Sequence, residues 1–441
     1  MSSAAIPPAS PLAGHVPAPT AAPPRVSKSV VAASVAGNAL EFYDFVTYAF
    51  FAVYIGKAFF PASTPMGSLL LTVAVFGVGF VSRPLGGVLI GAFADRAGRK
   101  PAMMLTIVLI TVGTLGMAAT PSYDSIGMAA PLIVVFCRLV QGLALGGEVG
   151  PVTAFLVEAA PPGKRAFYAS WQLASQGAAT LVAGLLGVAI LGTMPPDQVQ
   201  AWGWRLPFVL ALLLVPIAFY MRSHMPETLH DAGGAKATHN VGLSELGKYK
   251  GLITLAVLIV MGGTISTYLG SYMTTYAITT LHFPPTIAMV ATVAVGIATL
   301  IFALVGGWLS DRYGRKPIML WPRVLTAVLV VPLFGLLVSH ATTGVLLSVT
   351  LLLAALTAIS GGASFVAIPE LLPRGIRASG MAISYAIGVS LFGGSTQFII
   401  TWLLQTTGNP ASPAWYVAAT SVLCAIAMVL LPESRHQTLE S

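Results

Sequence analysis

Six ionisable side chains stand inside long apolar runs of this sequence: Glu41, Asp44, Arg83, Arg138, Glu148 and Arg323. Each costs roughly 2.5–3.5 kcal/mol at the centre of a membrane helix on insertion scales, so such residues persist where they act. Three are acidic and three basic, which suggests mutual pairing when nothing else is bound. A carboxylate in such a place changes its proton affinity when a neighbouring cation moves or is given another anion to hold. Glu41, Asp44 and Glu148 are therefore the candidates for a coupled proton. The competing role for each is a buried salt bridge that only ties helices together. Arg83 and Arg138 suit a carboxylate ligand, because the planar guanidinium fork offers paired hydrogen bonds and keeps its charge. Structural gating is the alternative for Arg138. Arg323 follows a basic loop by a turn or two, beside Pro322, and is expected to snorkel to the surface.

Spacing groups these residues. Asn38, Glu41, Asp44 and Tyr48 step by three or four, as do Arg138, Gln141 and Glu148 in rough register, so each set is expected on one helix face. Polar stripes of this kind belong inside a helical bundle, against each other or a water-filled path. Gln172 and Gln176 share a face further along and are weaker candidates for substrate contact. No G-x-x-x-x-G-K-[ST] loop occurs, so ATP is not expected to drive this chain. No Cys/His cluster has metal-ligand spacing, and neither a metal nor another cofactor is expected. Cys137 and Cys424 read as small hydrophobes.

The elements that position these groups follow from composition. Of 441 residues 56% are hydrophobic and 8% charged, with mean hydropathy +0.85. Soluble domains carry roughly a quarter charged residues, so lipid is the expected surroundings. Runs long enough to span a bilayer fall near 29–56, 66–92, 102–120, 127–150, 166–192 and 204–222, then near 251–280, 286–309, 317–338, 343–367, 378–404 and 412–431. This divides the chain into a disordered tail (1–27), a six-helix bundle (28–222), a linker (223–250), a second six-helix bundle (251–431) and a short tail (432–441). The first 27 residues lack the apolar stretch of a secretory signal. All Lys and Arg except Lys57, Arg83, Arg138, Arg205 and Arg323 fall in the tails and in alternate loops. The positive-inside rule makes those loops, and both termini, cytoplasmic. The net charge of +8 then faces anionic lipid, and nucleic acid need not be invoked.

The chain repeats itself. The loop Gly91-x3-Asp95-Arg96-x-Gly98-Arg99-Lys100-Pro101 recurs as Gly307-x3-Asp311-Arg312-x-Gly314-Arg315-Lys316-Pro317, and Glu158 with Arg165 matches Glu370 with Arg377. The glycines allow close approach where consecutive helices turn back on each other. The acidic residues and arginines can form charge-assisted hydrogen bonds in one conformation and break them in another. These residues are the expected gate.

The paired loops resemble the signature of the major facilitator superfamily, over about residues 30 to 431. Arg138-x2-Gln141-Gly142 resembles the signature of its proton-coupled members. Gly37-Asn38-Ala39-Leu40-Glu41-Phe42-Tyr43-Asp44-Phe45 and Arg83-Pro84 are similar to the metabolite:proton symporter family. Ser170-Trp171-Gln172-x3-Gln176 and Ala49-Phe50-Phe51-Ala52-x-Tyr54-Ile55 are most similar to its citrate and tricarballylate symporters. The resemblance implies an all-α membrane protein with twelve transmembrane helices in two pseudo-symmetric six-helix bundles. It implies a monomeric carrier in the cell inner membrane that moves a small organic acid with protons. Tyr272 and Tyr276 fall where the family has a similar tyrosine pattern and join the substrate-binding candidates. Carriers for 2-oxoglutarate, shikimate or compatible solutes, and an efflux carrier of the same superfamily, remain open. A membrane enzyme or sensor would need a nucleophile–base pair, a metal cluster or a folded soluble domain, and the sequence offers none of these.

Overall fold

The computed structural model describes residues 28–97, 99–146, 163–223 and 247–435, with isolated positions between 153 and 161. The expected tail 1–27, most of the linker and the last residues lie outside these. Among the described residues, eight helices are long and apolar enough to cross a membrane by length and composition, and three shorter apolar helices join them. With the first helix they make twelve. We label them α1 (Lys28–Phe50), α2 (Pro65–Val81, resuming after Ser82 as Arg83–Ala97), α3 (Arg99–Ala119), α4 (Ala129–Leu145), α5 (Arg165–Thr193) and α6 (Leu206–Ser223). The second half holds α7 (Lys250–Thr279), α8 (Pro285–Tyr313), α9 (Arg315–Ser339), α10 (Thr343–Leu371), α11 (Arg374–Ile387, then Gly394–Thr407) and α12 (Ser412–Leu430).

Local chemistry sets the ends. Thr64 precedes Pro65, and its hydroxyl accepts from the Gly67 amide at 3.0 Å, capping α2. Thr342 caps α10 in the same way through Val345. Gly408, at φ +62°, ends α11 in the left-handed region. Two predicted runs are interrupted. The first breaks at Phe51 and continues as a short helix, Ala52–Phe59. The eleventh contains a π turn, Gly388–Gly393, an irregularity that periodicity does not reveal.

The surface is turned inside out relative to a soluble protein. Large side chains such as Val88, Leu132, Phe136, Leu213, Trp321 and Val328 are exposed, while Asp44, Arg83, Arg138 and Arg323 are buried. Exposed Trp308 and Trp321 lie near the end that carries the basic loops, and Trp202, Trp402 and Trp415 near the other, as interfacial anchors do. The two halves meet along α5 and α8, and α2 packs on the last part of α11.

One close approach inside the first half positions the charged residues. A Cβ on Gly142 of α4 would lie 1.9 Å from the Gly79 carbonyl oxygen on α2, so only glycine lets these backbones touch. Gly79 packs against Arg138 and Gly146 against Arg83, so the two arginine backbones lie about two turns apart along the contact, and their long side chains converge on Phe45. Gly142→Ala should force the helices apart and destabilise the fold by about 1–3 kcal/mol, the range for overpacking. Thermal unfolding of the purified variant checks this; an unchanged transition would contradict the packing argument.

Candidate transport site

Helices α3 and α4 converge on Asp44 of α1, which is 3% exposed. Its carboxylate accepts from the Thr114 hydroxyl of α3 at 2.8 Å and from Gln141 Nε2 of α4 at 2.5 Å. Gln141 Oε1 in turn accepts from Arg138 Nη1 at 2.8 Å. The expected direct pairing of Asp44 with an arginine is therefore replaced by a relay, with a neutral amide between the charges. The Glu41 side chain and Glu148 lie outside the described residues.

Aromatic rings hold the two arginines. The Arg83 guanidinium carbon lies 4.6 Å from the Phe45 ring centroid and 4.1 Å from Phe80. That of Arg138 lies 4.9 Å from Phe45 and 4.6 Å from Tyr48. Such contacts stabilise a desolvated cation without supplying a hydrogen-bond acceptor. Nε and Nη2 of both arginines are buried with no hydrogen-bond partner, a costly state for desolvated donors. The Tyr268 ring of α7 closes the cluster, 5.4 Å from Phe80 and 5.9 Å from Phe76.

Beyond Tyr268 lies a cavity between the two halves. Its walls come mostly from α7, α9, α10 and α11, with Phe42, Leu173 and Gln176 from the first half. Of the predicted substrate residues only Gln176 lines it; Arg83, Arg138, Gln141, Gln172, Tyr272 and Tyr276 do not. Gln172 is engaged with Asn38, donating from Nε2 to Asn38 Oδ1 at 3.0 Å, so it ties α5 to α1. Asn38 thus faces α5 while Asp44 faces α3 and α4. The single face expected for them fails because six residues at about 100° each leave them roughly 120° apart. The Tyr272 hydroxyl accepts from Thr401, and Tyr276 donates to the Pro410 carbonyl at 2.7 Å, so both brace α7 within its own half.

Arg323 is the residue that sequence reasoning misplaced. It is 1% exposed and lines the cavity. Nη1 donates to the Gly262 carbonyl at 3.0 Å and to Ser266 Oγ at 2.6 Å. It does not snorkel, because α7 offers acceptors within reach of α9. Tyr268 and Tyr385, each a lining residue, were also passed over. The signal available was their helical spacing, one turn from the tyrosine chosen for Tyr268.

At the basic-loop end the halves are locked together. Asp311 of α8 accepts the Ala166 and Phe167 amides at 3.0 and 2.9 Å, capping the N-terminus of α5 in the other half. Arg315 donates Nη1 to Asp311 at 3.1 Å and grips Glu370 with Nε and Nη2 at 3.0 and 2.9 Å. Arg165 reaches Glu370 from across the halves at 3.7 Å. Arg312 is exposed against Trp308 and Tyr313 and takes no part in this lock. A Cβ on Gly307 would lie 2.7 Å from the Ala166 carbonyl oxygen. Its close approach is to α5 of the other half, not to the following helix as the loop motif suggested. The side chains of Gly91's neighbours Asp95, Arg96 and Arg99, that of Arg377, and Glu158 lie outside the described residues, as does Gly91 itself beyond its place in α2.

Comparison with known proteins now decides the family. Residues 29–241 and 229–441 each match the model of the sugar (and other) transporter family. The chain belongs to this family of the major facilitator superfamily. A citrate-proton symporter of Klebsiella pneumoniae is 34% identical over 388 residues, 88% of this chain and 87% of that one. An alpha-ketoglutarate permease of Escherichia coli is 34% identical, covering 91% and 93%. A proline/betaine transporter of Escherichia coli is 32% identical, covering 94% and 85%. The fold matches that of the proton:xylose symporter XylE at TM-score 0.78 and 19% identity, covering 93% of this chain and 97% of that one.

In the transporter the lock continues beyond α12. The Glu433 carboxylate accepts the amides of Arg315 and Lys316, both at 2.9 Å, and of Ser434 and Arg435. Burial alone would raise its pKa, but these four amide donors hold it below the usual glutamate value. Its stabilising contribution is present at neutral pH and is lost only as pH falls through that lowered value. Glu370→Gln should loosen the lock, since one neutral amide cannot replace a carboxylate bonded to two arginines. With Ser170, which is fully buried here, replaced by Cys, and Cys137 and Cys424 replaced by Ala, maleimide labelling should rise several-fold on adding Glu370→Gln. Unchanged labelling would show that the ion cluster does not hold this end shut.

Proposed function

We propose that this transporter carries a small organic anion into the cell together with protons, a tricarboxylate such as citrate being the favoured cargo. The observation that carries the reading is Asp44. Its carboxylate is buried among neutral donors, one amide removed from Arg138, and a proton there would remove a charge from the interior. Citrate-proton symporters and an alpha-ketoglutarate permease among the relatives support both the proton and the anion.

The physical sequence follows from the relay. Asp44 takes a proton, loses its claim on Gln141 Nε2, and frees that amide and Arg138 to reorient. Arg138 and Arg83 have unsatisfied N–H groups behind the Tyr268 ring, so movement of that ring toward or away from them links the proton site to the cavity. The two halves then rock about the cargo by alternating access. Breaking the Asp311–Arg315–Glu370 lock opens the basic-loop end, which the positive-inside rule makes cytoplasmic. Protons entering with the anion reduce the charge moved against a negative-inside potential, worth about 2.3 kcal/mol per charge per 100 mV. We place the carrier in the cell inner membrane as a monomer with both termini in the cytoplasm.

Asp44→Asn should abolish accumulation driven by an imposed pH gradient in vesicles while preserving exchange of labelled citrate for unlabelled citrate. Glu41→Gln is the companion arm for the other acidic residue of α1. Wild-type accumulation by both variants would remove the proton assignment. Cargo class is read by competition against a labelled tracer that the protein carries: citrate, tricarballylate, 2-oxoglutarate and succinate should each reduce its uptake, and betaine or shikimate should not. Inhibition by betaine or shikimate alone would overturn the anion reading.

A further inference from the structure

We infer that Arg323 and Gln176 form a carboxylate-binding subsite in the cavity, and that Arg323, not Arg83 or Arg138, is the first cation the cargo meets. This rests on the proposed transport of an organic anion and adds where its carboxylate is held. Arg323 is buried, yet its Nε has no hydrogen-bond partner. Its Nη1 is spent on Gly262 and Ser266, which fixes the guanidinium plane while leaving that edge free. Gln176, more than nine-tenths buried on α5, likewise has no partner for Nε2. Both residues line the one cavity. Two orphaned N–H donors, from opposite halves, therefore border the same space.

The rest of the wall agrees in sign. Thr264, Thr267, Tyr268 and Tyr385 add hydroxyls, and among the described lining residues there is no Asp or Glu. A fixed cation with unpartnered donors around it favours an anion, because binding one restores the lost hydrogen bonds and neutralises the charge together. Because Gln176 belongs to the first half and Arg323 to the second, a carboxylate held by both would draw the halves together over the cargo. Arg83 and Arg138 stand behind the Phe45–Tyr268 rings and do not line the cavity.

The test is equilibrium binding, followed by calorimetry, of citrate, tricarballylate, succinate and betaine, each separately, to purified wild-type protein, Arg323→Gln and Gln176→Leu. Arg323→Gln should weaken citrate at least tenfold and Gln176→Leu several-fold. Arg323→Lys, which keeps the charge but loses the fork, should fall between wild type and Arg323→Gln. Should Arg323→Gln not purify as a monodisperse protein, Gln176→Leu decides alone. If wild type binds citrate and the variants bind it within twofold, the subsite is wrong while anion transport stands. If wild type binds betaine and no polycarboxylate, and Arg323→Gln abolishes that binding, the subsite stands and the proposed cargo falls. If wild type binds none of these carboxylates, both fall.

Discussion

The structure turns on a buried carboxylate that is not paired directly with a cation. Asp44 is surrounded by hydroxyl and amide donors, and Gln141 separates it from Arg138. A direct ion pair in so dry a place would be hard to break, because separating the charges leaves each uncompensated. An amide in between keeps the charges close enough to sense each other while allowing either to change partner. The close contact of α2 and α4 at Gly142, the rings around Arg83 and Arg138, and the position of Thr114 on α3 all serve to hold that relay in place.

The two ends of the molecule are closed by different forces. Near the basic loops the closure is ionic, with Glu370 gathering Arg315, Arg165 and the Ser434 hydroxyl. At the far end Ala52, Leu69 and Val73 of the first half share an apolar cluster with Leu269, Tyr272, Ile400 and Leu404 of the second. Apolar contact is non-directional and yields gradually, whereas charge-assisted bonds hold in one geometry and fail in another. The chain therefore has one end suited to a discrete latch and another suited to sliding closure, with the cavity between them.

Much of the architecture was legible because lipid imposes simple rules. Twelve apolar runs, basic loops at alternate ends and a repeated loop motif led to the observed helices with small shifts at their ends. Direction around each helix was less legible. Gln172 and Gln176 differ by one turn, yet one is consumed by Asn38 and the other faces the cavity. Arg323 lay close enough to a loop to suggest an escape to the surface, and nothing in its own neighbourhood disclosed Gly262 and Ser266 on α7. The repeat matched Glu370 with Arg377 in the same half by analogy, while the described contact runs to Arg165 in the other. Pairings between halves are long-range, and a repeat within one chain carries no record of them.

The central claim is that cargo and proton move as one event, and substrate-driven proton movement tests it most directly. Wild-type protein would be reconstituted into vesicles containing a pH-sensitive dye, with no gradient of pH or potential imposed. Adding citrate outside should acidify the interior in step with citrate entry, beyond what the ionisation of entering citrate produces in vesicles made permeable to it by other means. Citrate entry with no such proton movement would contradict the account.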